Sequence, residues 1–197
     1  MRNMKQRSAA LLLAVILLLS MQSTAFAATS QSELETAVEQ SAAYMLKAVK
    51  NPQVGSIGGE WAVIGLARSG YDVPQTYYDS YLSTVTKYVQ NKRGVLDERK
   101  YTEYSRVILA LTAIGADPTD VGGYDLTAPL SDFEQTIWQG VNGPIWALIA
   151  LDSGNYELSG STTRQMYVDE ILNLLANDRS LNRCDMLLAI DQNLLAR

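Results

Sequence analysis

The sequence predicts an all-α protein built of antiparallel helical hairpins, and three observations carry that prediction. The first is the run from Tyr101 to Gly115, whose stretch Val107 to Ile114 is apolar except for Thr112. It is too long for an ordinary strand and lacks the polar stripe of a surface helix, so a helix buried on nearly all sides is expected. The second is recurrence: Glu60 to Gly70, Ser105 to Gly115 and Pro144 to Gly154 align on their terminal glycines, spaced 45 and then 39 residues apart. A buried helix at that period signals helical-hairpin repeats. The third is that no stretch of any length alternates as a strand would.

The elements follow in order. Ser30-Gln31-Ser32-Glu33 is a capping box, and it opens a helix that places Leu34, Val38, Ala42, Met45 and Val49 on one face and ends before Asn51-Pro52. Gly55-Ser56-Ile57-Gly58-Gly59 is a flexible loop into the first inner helix, Glu60 to Ser69. Asp72 and Pro74 restart the chain, and Tyr78, Leu82, Val85 and Val89 give the next outer helix its stripe up to Gly94. The charged link Val95 to Lys100 leads into the central helix, and Gly115 with Asp117-Pro118 stops it. Asp120 to Asp125 is turn-prone, and Pro129 fits a short helical turn. Ser131-Asp132-Phe133-Glu134 is a second capping box, starting an outer helix with Phe133, Ile137 and Trp138. Gln139 to Gly143 breaks it, and Pro144 lies in the first turn of the third inner helix. Thr162 to Gln165 caps a further outer helix, with Met166, Val168, Ile171, Leu172 and Leu175 inward.

Outer amphipathic helices thus alternate with inner apolar ones. An open α-solenoid and an α/α toroid, whose inner helices run parallel around a ring, both suit that alternation. Uniformly apolar inner helices favour the toroid. A closed ring of this kind takes about six hairpins, and this chain supplies three and part of a fourth, so the expected architecture is an incomplete α/α toroid.

Met1 to Ala27 reads as an export signal: Arg2, Lys5 and Arg7, then the apolar run Ala9 to Leu19, then Ala25-Phe26-Ala27 with cleavage before Ala28. The domain is expected over residues 28–175, followed by a degenerate or truncated segment over 176–197. Removing residues 1–27 takes three of the 16 basic residues and none of the 21 acidic ones, leaving a formal charge of −8. Nucleic acid and anionic membrane are poor partners for such a surface. The single cysteine, Cys184, has no partner in the sequence for an internal disulfide, and histidine is absent. Serine-histidine and cysteine-histidine catalysis are thereby excluded, and the commonest metal ligand is missing.

Gly58 to Tyr71, Tyr101 to Arg106 and Gln139 to Leu148 together resemble the secreted bacterial members of the prenyltransferase and squalene-oxidase repeat family, within the terpenoid-cyclase-like α/α toroid superfamily that includes cobalamin carriers. The likeness covers roughly Glu33 to Leu174. The Asp-x-Asp-Asp acid motif of the cyclases and the family's Gln-x-x-Asp-Gly-Gly-Trp signature are absent from the sequence. With no histidine and one late cysteine, the prenyltransferase zinc site cannot be assembled. Where the signature is expected, the chain reads Leu174 to Ser180, stopping at Asp178, and Asp185-Met186, Ala189-Ile190 and Gln192-Asn193-Leu194 resemble a next inner helix out of register. A truncated or frame-disrupted toroid is the corresponding expectation.

The resemblance implies an exported, non-catalytic binding or surface module, soluble after signal cleavage, with no assigned cofactor and with corrinoid-like or isoprenoid compounds as candidate ligands. The alternatives are an enzyme remnant of terpenoid cyclase or prenyltransferase type lacking its catalytic motif and, third, a polysaccharide-acting enzyme. In a toroid the inner helices start at one end, so their free N–H groups and positive dipole ends face a common mouth. Glu60, Trp61, Glu103, Tyr104, Asn142 and Trp146 lie near such starts, with Tyr101, Trp138 and Gln139 just before them. Aromatic and amide groups gathered there can stack on and hydrogen-bond a ligand. The competing role is structural, with tryptophans filling the core and each glutamate stabilising its own helix start.

Glu60 with Glu103, or Asp97 with Glu98, could form the carboxylate pair of a glycosidase. Asp117, Asp120 and Asp125 lack calcium-loop spacing and are expected as turn and capping residues. Lys87, Lys92, Arg93, Arg99 and Lys100 form a solvated rim. Tyr77, Tyr78, Tyr81 and Tyr88 are too many for one buried stripe, so part of this set is expected at the surface.

Overall fold

The computed structural model describes residues 30–55 and 58–177, and every regular element among them is helical. We label these α1 (Gln31–Ala48), α2 (Glu60–Arg68), α3 (Gln75–Asn91), α4 (Thr102–Ala113), α5 (Phe133–Ile137), α6 (Asn142–Ser153) and α7 (Arg164–Asn177), with a 3₁₀ turn, Ala128–Ser131, ahead of α5. The expected signal sequence, Ser56 and Ile57 of the glycine-rich loop, and the C-terminal segment from Asp178 onward, with Cys184, lie outside the described residues.

Backbone contacts divide the chain after Gln40. Within the first unit, the Ser30 N–H donates to Glu33 Oε2 at 2.8 Å and the Glu33 N–H donates to Ser30 Oγ at 3.2 Å, the reciprocal pair of a capping box. The Ser30 backbone bond, with help from its hydroxyl, holds the Glu33 carboxyl below its ordinary range. Leu34 and Val38, expected on a buried stripe, are 51% and 37% exposed. Burial along this stripe begins at Ala42.

In the second unit, α2, α4 and α6 lie side by side with α4 in the middle. Their starts meet: Arg106 of α4 reaches Glu60, the first residue of α2, and the Thr102 N–H donates to Gln139, just ahead of α6. The ends of α4 and α6 meet through Ser153 and Thr112. α4 and α6 therefore run in one direction, and α2 starts beside α4. α3 runs the other way, leaving the end of α2 and finishing at Gly94, whose carbonyl accepts from the Tyr104 hydroxyl near the start of α4.

Flanked on both sides, α4 is buried through Val107, Ile108, Ala110 and Leu111. Burying Val107, Ile108 and Leu111 contributes about 1.5–3 kcal/mol of transfer free energy each. The flanking helices are barer, with Trp61 43% and Ile149 44% exposed. On α3 the buried stripe is Tyr77, Tyr81, Val85 and Val89, while Tyr78 and Leu82 sit half-buried beside it. Both sets obey helical spacing, and the neighbouring helices decide which faces inward. For the same reason α7 buries Tyr167, stacked on Phe133 at 5.4 Å, and leaves Leu172 44% exposed.

The outer helix expected after Ser131 is the five-residue α5, and the short turn expected at Pro129 is the 3₁₀ turn ahead of it. Ser131 spends its polar groups across the chain: its hydroxyl accepts from the Ser159 N–H and its carbonyl from the Thr162 hydroxyl. Asp132 therefore caps α5, accepting from the Gln135 N–H. Thr162 being engaged there, Thr163 caps α7 through the Met166 N–H. The aligned glycines also part ways. Gly115 is left-handed (φ 76°) in a Schellman turn, the Ala116 N–H bonding Leu111 O and the Gly115 N–H bonding Thr112 O. At the end of α6 the left-handed residue is Asn155 (φ 54°), one position later. Gly154 is there for space, since a Cβ would lie 2.4 Å from the Tyr156 ring.

Candidate functional site

The converging starts of the inner helices enclose a cleft of about 180 Å³ lined by Trp61, Thr102, Arg106, Gln139, Asn142 and Trp146. Trp61 comes from α2 and Trp146 from α6, and their rings lie 5.3 Å apart at 58°. This is a tilted aromatic pair bridging the two flanking helices. Gly143 makes the α6 start possible: a Cβ there would lie 1.8 Å from the Thr136 carbonyl oxygen.

Beneath the cleft, Arg106 joins two glutamates. Its Nε donates to Glu60 Oε2 at 3.1 Å and its Nη2 to Glu103 Oε2. Glu60 is fully buried, and its other oxygen accepts from the Gly55 N–H at 2.9 Å. Both glutamates also sit in first helical turns, where the dipole favours a negative group. The fully buried Tyr81 lies in the field of this group; burial first, then Glu60, pushes its phenol far above the ordinary range. The hydroxyls of Tyr77 and Tyr81 find no hydrogen-bond partner among the described residues.

Of the nine residues singled out from sequence, Trp61, Gln139, Asn142 and Trp146 line the cleft, while Glu60 and Glu103 stand behind it through Arg106. Tyr104 is turned into the core, its hydroxyl accepting from the Leu96 N–H at 3.1 Å, and burial raises its pKa. Tyr101 packs edge-on against Tyr104, ring centres 5.2 Å apart. Trp138 lies outside the lining, 56% exposed, with the Arg99 guanidinium 5.5 Å from its ring centre. Thr102 and Arg106 complete the lining without having been anticipated. For Arg106 the signal was available: it is the lone cation leading an apolar run and stands three residues after Glu103.

Carboxylate chemistry of the glycosidase kind finds little support here. Glu60 is committed to Arg106 and Gly55, and Asp97 accepts from the Arg99 and Lys100 N–H groups, which hold its carboxyl below the usual range. Asp117, Asp120 and Asp125 each accept from nearby backbone N–H groups, as turn residues do. No cluster of metal-ligating side chains occurs among the described residues, and no helix among them is long and apolar enough to cross a membrane.

No protein-family model matches the chain, and no curated protein or solved structure matches it either.

Proposed function

We propose that the protein is an exported, non-catalytic binding module with the helical arrangement of a partial α/α toroid, and that its ligand site is the cleft between Trp61 and Trp146. One observation carries this: two indoles from different helices stand over a cleft whose rim bears polar groups left unused by the fold. Among the described residues the Asn142 amide, the Thr102 hydroxyl and the Gln139 amino group make no hydrogen bond. These groups are open to solvent and therefore free to exchange water for a ligand's hydrogen bonds.

Support for the toroid arrangement comes from three apolar helices whose starts lie together, α4 and α6 running in one direction. Support for binding without turnover comes from the carboxylates, both of which are tied to Arg106. Export rests on the sequence of Met1 to Ala27. The cleft's size favours the end of an isoprenoid or a single ring over a whole corrinoid macrocycle.

Differential scanning of the secreted form with cobinamide, farnesol and oligosaccharides tests the proposal, because a ligand that binds the folded state alone raises Tm. A rise with one class that Trp146→Ala abolishes is expected. Turnover of any isoprenoid or glycan would overturn the non-catalytic reading.

A further inference from the structure

Taking the cleft as a binding site, we propose that its ligand is one neutral, polyhydroxylated ring: a sugar residue. Charge is the first reason. Arg106 is the one charged residue in the lining, and it is already shared between Glu60 at 3.1 Å and Glu103. An anion therefore meets a cation whose charge is compensated twice over. A ligand cation meets the guanidinium before it meets either carboxylate. The lining thus offers an anion a cation already spent and offers a ligand cation no carboxylate to pair with.

Polarity is the second reason. Thr102, Arg106, Gln139 and Asn142 make four of the six lining residues polar. A hydrocarbon in the cleft would strip water from these groups and return no hydrogen bond, a cost of about 1–3 kcal/mol for each group left unmet. A hydroxyl both donates and accepts, and the rim offers both functions. Gln139 Oε1 is fixed by the Thr102 N–H at 3.1 Å, which leaves the Gln139 amino group as a donor of set direction. The Asn142 amide supplies a donor and an acceptor, and Arg106 keeps Nη1, which neither carboxylate takes.

Shape is the third. A sugar ring carries a face of C–H groups and an edge of hydroxyls, and the cleft sets indole faces beside a rim of amide, hydroxyl and guanidinium groups. A cavity of about 150 Å³ holds a benzene ring, so a cleft of about 180 Å³ suits one six-membered ring. A free monosaccharide and the terminal residue of a glycan present the same chemistry.

The test is a fluorescence and calorimetric titration of the secreted chain in a Trp138→Phe background, which confines indole emission to the cleft. The probes are glucose, galactose and N-acetylglucosamine, then maltotriose, cellotriose and chitotriose, with inorganic phosphate, tetramethylammonium and farnesol as the competing classes. At least one saccharide is expected to bind, with the same affinity in low and high salt because a neutral ligand has no charge to screen. Asn142→Ala, at an exposed position, should weaken it about tenfold, the loss of one hydrogen bond; Trp146→Ala should abolish it. Binding of monosaccharides supports a free sugar, and binding of the trisaccharides alone supports a glycan end. If phosphate, tetramethylammonium or farnesol binds and no saccharide does, the sugar assignment is overturned while the cleft stands as a site. If no probe in either panel binds, both fall.

Discussion

At the starting ends of α2, α4 and α6, Arg106 holds two glutamates, two indoles meet, and Asn142, Thr102 and Gln139 keep polar groups in reserve. At the finishing ends the polar groups consume one another. Thr112 and Tyr156 hydroxyls bond at 2.8 Å, Ser153 donates to the Ala150 carbonyl, and Arg164 Nη2 donates to the Tyr156 carbonyl. Both ends are built from the same three helices. The difference is that a helix start exposes N–H groups and a positive dipole end, which recruit acidic and amide side chains, whereas the finishing carbonyls of α4 and α6 are met by turn N–H groups and the Ser153 hydroxyl.

Five substitutions break or sharpen that contrast, from the largest expected effect down. Arg106→Met should lower stability by about 3–5 kcal/mol, because Glu60 would be left buried without a counter-charge. Denaturant unfolding measures it, and a loss below about 1 kcal/mol would mean that packing alone joins α2 to α4. Next comes Gly143→Ala, which drives a Cβ against the Thr136 carbonyl oxygen and should cost about 3 kcal/mol. Its partner at the finishing ends is Gly115→Ala, which meets open space and should cost only the left-handed backbone term of about 1–2 kcal/mol. Equal costs for the two, read by thermal unfolding, would show that the approach of α5 to α6 yields freely.

Tyr156→Phe removes the bond to Thr112 and should cost about 1.5 kcal/mol, leaving every saccharide titration unchanged. A change in ligand affinity would join the two ends and erase their distinction. The smallest effect has the opposite sign: Tyr81→Phe deletes a buried hydroxyl with no partner and should stabilise the fold by about 1 kcal/mol. A drop in Tm would reveal that this hydroxyl is bonded in solution.

Much of the helical framework was legible because its signals are local. The Ser30–Glu33 capping box, the Schellman turn at Gly115 and the apolar run of α4 all depend on residues within a few positions of one another. What failed was local reasoning about groups with distant partners. The Ser131 capping box dissolved because Ser159 and Thr162 claim its serine. On α3, Val85 and Val89 are buried as expected, but the first two turns bury Tyr77 and Tyr81 in place of Tyr78 and Leu82, since helical spacing fits either pair. Of the candidate site, the aromatic and amide residues could be named from their place near each helix start, and Arg106 was legible as the lone cation leading an apolar run, whereas Thr102 carried no such signal.

By itself the sequence determined which segments are helical, because capping groups, glycine stops and apolar period act within single turns. It also determined that histidine-based chemistry is absent. Only the tertiary structure decided that the buried Glu60 pairs with Arg106, 46 residues away, and that Trp61 and Trp146 share one cleft. The reason is physical: the free energy of an ion pair or a stacked ring depends on distance and on exclusion of water, and neither quantity exists until the helices have packed.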